Sequence, residues 1–318
     1  MNTPGHLKTA SRLTHVGVGK DEATGAISYP IYPSATCRHP AVGESTGFDY
    51  TRSGNPTRQV LENALAELEG GARACVFSSG MAALTTLFLY FRSEDHLIVS
   101  QDLYGGTYRV LVEVFDKLGL RASYVDTTDT AAVKAAIEPE SRALLVETPG
   151  NPLLGVADLA ALGEACRKHE LLFVVDNTFL TPALQRPFDF GADVVVHSAT
   201  KYLGGHNDLC AGVLVAREET LGERLYFLQN STGGILSFRV DSQATARQVL
   251  KRLKLISFAE SLGGVESLMT LPAVQTHGDI PEPERRRLGI CESLLRLSVG
   301  IEDVGDIIAD LEQALGKP

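Results

Sequence analysis

Val194-Val195-Val196-His197-Ser198-Ala199-Thr200-Lys201 is an apolar, β-branched run that stops at two hydroxyls and a lysine. Such a run reads as a buried strand, and the polar residues after it mark the strand's end. A lysine partly desolvated there disfavours its charged form, so a neutral amine becomes available to condense with a carbonyl. Taken alone, the pattern fits a solvated loop lysine equally well. Upstream, Leu171-Leu172-Phe173-Val174-Val175-Asp176-Asn177-Thr178 is a second buried-strand pattern, and it ends in an acid. Open α/β sheets bind ligands at the carboxyl ends of such strands. Asp176 fits an N-cap or a surface acid, but an anion closing so apolar a run calls for a cationic or hydrogen-bonded partner.

A pyridinium nitrogen is one such partner. An Asp facing a pyridinium, with a Lys forming a Schiff base, is the pairing that pyridoxal 5'-phosphate demands of its protein. The phosphate then needs backbone N–H groups at a helix start, and Cys75-Val76-Phe77-Ser78-Ser79-Gly80-Met81-Ala82-Ala83-Leu84 offers a strand, a small-residue turn and an apolar helix. Gly80 lets the backbone approach an anion closely, with the amides of Gly80 and Met81 pointing at it and the helix dipole behind them. An ordinary strand-to-helix turn with a Ser cap reads the same way by itself.

The 318 residues can bury a large core and suggest two domains. A formal net charge of −10 argues against nucleic acid or an anionic membrane as partner. The nearest approach to a basic tract, Arg285-Arg286-Arg287, follows Glu282 and Glu284 and reads as a solvated helix face. Cys37, Cys75, Cys166, Cys210 and Cys291 show no paired spacing, which fits free thiols in a reducing compartment. With no apolar signal core and no run near the ~20 residues of a bilayer span, the expected location is the cytoplasm.

Strand and helix patterns alternate as βαβ units require. Residues 1–47 read as an irregular arm and 48–230 as a large α/β domain binding the cofactor. In that domain helices are expected over Gln59–Glu69, Met81–Phe91, Thr107–Leu118, to Ile137 after Asp129, and Asp158–His169. The strands are expected near 74–77, 97–100, 122–125 and 143–147, besides the two quoted above. Residues 231–318 read as a small α+β domain, with strands at Ile235–Val240 and near Ile256 and Leu295, and helices at Gln243–Leu253 and Val304–Leu315.

Six stretches carry a resemblance: Phe48-Asp49-Tyr50-Thr51-Arg52-Ser53-Gly54-Asn55-Pro56-Thr57, Tyr104-Gly105-Gly106-Thr107-Tyr108, Glu147-Thr148-Pro149-Gly150-Asn151-Pro152, His197-Ser198-Ala199-Thr200-Lys201, Glu260-Ser261-Leu262-Gly263-Gly264 and Leu295-Arg296-Leu297-Ser298-Val299-Gly300. With Ser78-Ser79-Gly80-Met81 and Val175-Asp176-Asn177-Thr178, the chain resembles the Cys/Met-metabolism (transsulfuration) family of pyridoxal-phosphate enzymes, which includes cystathionine γ-synthases and lyases. The resemblance implies the fold type I, aspartate-aminotransferase-like architecture of PLP-dependent transferases, and it implies roles. Lys201 holds the cofactor and shuttles protons, Asp176 keeps the ring nitrogen protonated, and Tyr104 stacks on the ring. Gly80, Met81, Ser198 and Thr200 hold the phosphate, and Asn151 lies near the ring hydroxyl. Arg296 meets the substrate α-carboxylate, an assignment its place in an apolar strand also supports. Glu260, before Ser261, faces a distal amino group. Tyr50 and Arg52 reach the phosphate of a neighbouring subunit, which implies a homo-oligomer, a dimer or a dimer of dimers.

Two departures from the family stand out. Gly150 replaces a hydroxyl residue, and text like Asn230-Ser231-Thr232-Gly233-Gly234 runs directly into Ile235–Val240, where relatives carry a long inter-domain helix first. The expected reaction is γ-replacement on an O-acylhomoserine by cysteine, with cystathionine β- or γ-lyase and O-acetylhomoserine sulfhydrylase as alternatives. From other classes come a catalytically impaired, internally deleted homologue and a metal hydrolase using His197, His206 and Asp208. The last lacks a helical i, i+4 ligand pair.

Overall fold

The computed structural model describes residues 8–17, 21–231, 238–239, 243–259, 267–275, 277–278, 280–287, 290–298 and 302–316. The chain forms two compact units, Met1–Pro30 with Arg58–Ser231 and Ile31–Thr57 with Thr232–Pro318.

A seven-stranded sheet organises the first unit: β1 Arg73–Phe77, β2 His96–Ser100, β3 Arg121–Val125, β4 Ser141–Glu147, β5 Leu172–Asp176, β6 Val194–His197 and β7 Gly212–Ala216, in the order β1-β7-β6-β5-β4-β2-β3. Strands β3, β2, β4, β5 and β6 are parallel to one another, whereas β7 runs antiparallel to both β6 and β1. The helices are α1 Thr9–His15, α2 Pro56–Glu69, α3 Gly80–Phe88, α4 Gly105–Val110, α5 Thr130–Ala135, α6 Leu159–Lys168, α7 Thr181–Leu184 and α8 Glu219–Asn230.

The valine run behaves as its composition demands. Val194, Val195 and Val196 are all at 0 % exposure. Side chains alternate across a strand, so Val194 and Val196 pack with Leu84, Leu87 and Leu225 of α3 and α8, while Val195 packs with Leu65 and Ala66 of α2. Helix α6 starts where Asp158 caps it, accepting from the Ala161 N–H at 3.0 Å, and buries the Leu159, Leu162, Cys166 stripe.

Several elements depart from the sequence reading, in which α7, α8 and β7 have no counterpart. β7 was not anticipated: a five-residue apolar run has no helix or strand period of its own, and an alternation of βαβ units does not call for an antiparallel strand. The helix expected over Thr107–Leu118 is broken into α4, a π-turn at Leu111–Phe115 and a 3₁₀ turn at Asp116–Leu118. Val110, Val112 and Val114 disfavour an uninterrupted helix there. Within the expected arm, Thr9–His15 is helical and Thr36 bridges Tyr50.

The second unit carries β8 Phe238–Arg239, β9 Ser257–Phe258, β10 Leu268–Thr270 and β11 Leu294–Ser298 in the order β8-β11-β10-β9, with α9 Gln243–Arg252, α10 Glu282–Arg287 and α11 Val304–Leu315. Its core joins Val249 and Leu250 of α9, Met269 and Leu295 of the sheet, and Ile307 of α11. Asp310 accepts from the backbone N–H groups of Lys254, Leu255 and Ile256, which fixes the turn before β9. His39 joins residues 31–57 to this unit: its N–H donates to Phe258 O, and its Nε2 accepts from Gln275 Nε2 at 3.0 Å. On α10, Arg286 and Arg287 pair with Glu282 and Glu284 on the surface, whereas the half-buried Arg285 donates to Ala273 O. The strand expected at Ile235–Val240 is described only over Phe238–Arg239.

Candidate active site

Segments leaving β1, β2, β4, β5 and β6 at their carboxyl ends surround one cavity of about 710 Å³ in the first unit. Parallel strands end together, so this edge collects short loops and helix N-termini on one side.

Asp176 closes β5. Its Oδ1 accepts from the Thr178 N–H at 3.0 Å and the Thr178 hydroxyl at 2.5 Å. The same Thr178 oxygen accepts from the Ser198 N–H at 2.8 Å, so one hydroxyl locks the end of β5 to the turn after β6. Part of Asp176 stays exposed, yet its carboxyl lies deep enough that burial pushes its pKa up, against the Thr178 bonds and the charge of His197. Glu147 stands beside it in register on β4. Burial and the Asp176 charge push the Glu147 carboxyl up to about 8, against the N–H groups of Tyr104 and Asn151.

Helix α3 points its N-terminus at the cavity. Ser79 caps it, accepting from the Ala82 N–H at 3.1 Å. Gly80 is there for closeness: a Cβ on it would stand 2.9 Å from Ser198 Cβ. Gly212 of β7 serves the same end, since its Cβ would stand 2.0 Å from Ser79 O. Thr200 is pinned to the strand entering β7, its hydroxyl accepting from the Ala211 N–H at 3.0 Å.

Lys201 lines the cavity from the end of a turn that opens at Ser198, where its N–H donates to Ser198 O at 3.1 Å. The lysine is exposed, in contrast to the desolvated strand-end position expected, because β6 stops at His197 and Lys201 lies on the turn beyond it. Tyr104 is 51 % exposed and precedes α4, its N–H donating to Glu147 Oε2 at 2.8 Å. A Cβ on Gly106 would lie 2.4 Å from the Tyr104 ring, so that glycine makes room for it. Gly150 has a steric reason too: its Cβ would lie 2.6 Å from Asp102 Oδ2.

Lys201, Tyr104, Gly80, Met81, Asn151, Asp176, Ser198 and Thr200 thus all line this cavity. Tyr50, Arg52 and Arg296 belong to the second unit, where the Arg52 guanidinium lies 5.1 Å from the Tyr50 ring centre. Arg296 is 1 % exposed on β11, opposite Thr270, and burial together with the Arg296 charge lowers the pKa of His277. Glu260 and Ser261 lie outside the described residues. The sequence reading passed over Glu147 and Thr178 as site residues. Glu147 ends the apolar run Ala143–Val146 just as Asp176 ends its own, so the same argument would have found it. His197 turns away from the cavity and pairs with the buried Glu69. Among the described residues no three His, Cys, Asp or Glu side chains gather as a metal-ligand set, and no helix is long and apolar enough to cross a membrane.

The residues present fit pyridoxal phosphate. A carboxyl whose burial penalises its charge is suited to a cationic ring nitrogen. A lysine shares its cavity, and a glycine-opened helix N-terminus offers amides to an anion.

The family model for Cys/Met metabolism PLP-dependent enzymes matches residues 10–236 and 229–316. The chain is 46 % identical to the cystathionine gamma-synthase/O-acetylhomoserine (thiol)-lyase of Bacillus subtilis over 361 positions, covering 98 % of this chain and 96 % of the relative. It is 45 % identical to the cystathionine gamma-synthase of Haemophilus influenzae, covering 96 % and 97 %. The cystathionine gamma synthase of Xanthomonas oryzae pv. oryzae, solved with cystathionine, matches with a TM-score of 0.69 at 34 % identity, over 99 % of this chain and 98 % of that one. The 361 aligned positions outnumber the 318 residues here, so part of the relative has no counterpart, and the two family matches meet over 229–236, where the sequence reading placed its junction. On the fold, the cavity and these matches together, the chain belongs to the Cys/Met-metabolism family of pyridoxal-phosphate-dependent transsulfuration enzymes.

Proposed function

We propose that the chain catalyses a γ-replacement: an O-acylhomoserine loses its acyl group and the thiol of cysteine adds at Cγ, giving cystathionine. The observation that carries this choice is the gradient of similarity. A relative named both cystathionine gamma-synthase and O-acetylhomoserine (thiol)-lyase stands at 46 % identity and one named cystathionine gamma-synthase at 45 %, against 39 % for a cystathionine gamma-lyase and 36 % for a cystathionine beta-lyase.

Pyridoxal phosphate, when bound, supplies an electron sink for charge developing on the substrate carbons. Lys201 Nζ holds the cofactor and carries protons between Cα and the neighbouring carbons. Asp176, held by Thr178, keeps the ring nitrogen protonated. The amides of Gly80 and Met81, with the hydroxyls of Ser198 and Thr200, hold the phosphate, and Asn151 binds near the ring hydroxyl. Tyr104 stacks on the ring and assists the departing group. Arg296 takes the substrate α-carboxylate, while Glu260 and Ser261 meet the distal amino end. Tyr50 and Arg52 complete the phosphate site of a second copy, so the working form is a homo-oligomer.

The test gives the purified protein an O-acylhomoserine with cysteine and follows cystathionine by mass spectrometry. Faster breakdown of cystathionine to an oxo acid, or sulfide incorporation in preference to cysteine, would replace this reading with a lyase or a sulfhydrylase. A second reading, that turnover is impaired, is favoured by the relative's residues that have no counterpart here.

A further inference from the structure

Residues that alternate along a strand face opposite sides of the sheet. Asp176, Val196 and Ser198 line the cavity, so their neighbours Asn177 and His197 face the far side, where they are at 0 % and 1 % exposure. Both reach one carboxyl. Glu69, the last residue of α2 and itself at 0 % exposure, places Oε1 2.5 Å from His197 Nε2 and accepts from Asn177 Nδ2 at 3.1 Å. Asn177 Oδ1 also accepts from Gln185 Nε2 at 3.0 Å, and that amide reaches Thr148 O just beyond β4 at 3.3 Å. A single acid therefore ties α2 to the ends of β5 and β6 and, through Gln185, to β4.

This is an unfavourable place for a carboxylate. A helix C-terminus presents the negative end of the macrodipole, and a buried ion pair offsets its desolvation only when the remaining polar atoms are bonded. Glu69 Oε2 and His197 Nδ1 have no hydrogen-bond partner among the described residues. Apolar side chains would join the same elements at lower cost, so stability does not account for the pair. The residues next to it in the chain do: Asn177 follows Asp176, and His197 precedes the turn that carries Ser198, Thr200 and Lys201.

We propose that Glu69 is a positioning residue of the cofactor site, clamping His197 and Asn177 from the far side of the sheet so that Asp176 and the Ser198–Lys201 turn keep their placement. This rests on the reading of Asp176 as the partner of the cofactor's ring nitrogen. The test compares Glu69→Gln and Asp176→Asn with the unaltered holoenzyme, reading the cofactor dissociation constant, the pH midpoint of the bound cofactor's absorbance, and the melting temperature. Glu69→Gln should weaken cofactor binding on the order of tenfold, the scale for an outer partner of a bound group, and move the absorbance midpoint in the same direction as Asp176→Asn. A lowered melting temperature with binding and midpoint unchanged in Glu69→Gln, while Asp176→Asn shifts both, would overturn the proposal and leave the Asp176 reading intact. An unchanged midpoint in Asp176→Asn would remove that reading and the proposal with it. If Glu69→Gln does not fold, His197→Gln replaces it in the comparison: weaker cofactor binding with a moved midpoint supports the clamp, and a lowered melting temperature alone overturns it. Where both fold, the double variant should weaken binding no more than the stronger single one, because the two act through one clamp; additive losses would overturn it.

Discussion

Asp176 and Glu147, side by side at the ends of β5 and β4, confront the cavity with two carboxyls that burial pushes above their ordinary ionisation. Glu147 has a folded pKa of about 8 against 4.5 for the free group, raised first by burial and then by the Asp176 charge. Between those values folding takes up a proton, so this group's contribution is fully present below pH 4.5 and is lost as pH rises through 8. The cofactor-free protein should therefore melt several degrees lower at pH 8 than at pH 5.5, and Glu147→Gln should flatten that slope; parallel melting curves would refute it. For Lys201→Ala, the absorbance of covalently held cofactor should vanish and turnover fall by at least about 10²–10⁴-fold, the share of a positioned acid–base group alone. Retention of either signal would place the attachment elsewhere. Arg296→Lys exchanges a bidentate fork for a point charge. It should raise KM for the amino-acid substrate roughly 10–100-fold, the equivalent of a charged hydrogen bond, with cofactor affinity unchanged. A parallel loss of cofactor would make Arg296 a structural residue.

At the level of elements, close backbone approach sets the architecture around the site. Gly163 lets α6 lie against the 3₁₀ turn Pro187–Phe190, since its Cβ would stand 2.0 Å from Phe190 O. Gly163→Ala should gain about 1 kcal/mol of helix propensity but lose more to that contact, overpacking of this kind costing about 1–3 kcal/mol and a backbone carbonyl being unable to rotate away as a side chain would. The denaturation midpoint in urea should fall; an unchanged or raised midpoint would show that α6 and the turn separate freely. The glycines at 80 and 212 work in the same manner, drawing α3, β7 and the Ser198 turn together, and only Gly80 had a reason visible in the linear text. Gly212 opens a strand that no βαβ alternation announces, so its role emerges with the antiparallel pairing of β7.

Across the whole molecule, Asp176, Lys201, Gly80 and Thr200 precede the junction near Asn230, whereas Glu260 and Arg296 follow it. Cofactor binding should be retained in the 318-residue chain and turnover should be weak, because a ~1 Å misplacement of reacting groups can cost about a hundredfold. Inserting a family-like segment after Asn230 should raise kcat at least tenfold and leave the cofactor dissociation constant unchanged; full turnover without it, in protein of verified intact mass, would refute this. The sequence alone determined the strands ending in Asp176 and His197, the Gly80 helix start and the alternation of elements, because burial of β-branched runs and the conformational freedom of glycine act on a few adjacent residues. It also carried the family, through motifs in their order. Tertiary structure alone decided the pairing of Glu69 with His197, the bond that joins Thr178 to Ser198 and the heightened basicity of Glu147. Those depend on partners far apart in the chain and on burial that exists only once the sheet has assembled, and no local pattern records either.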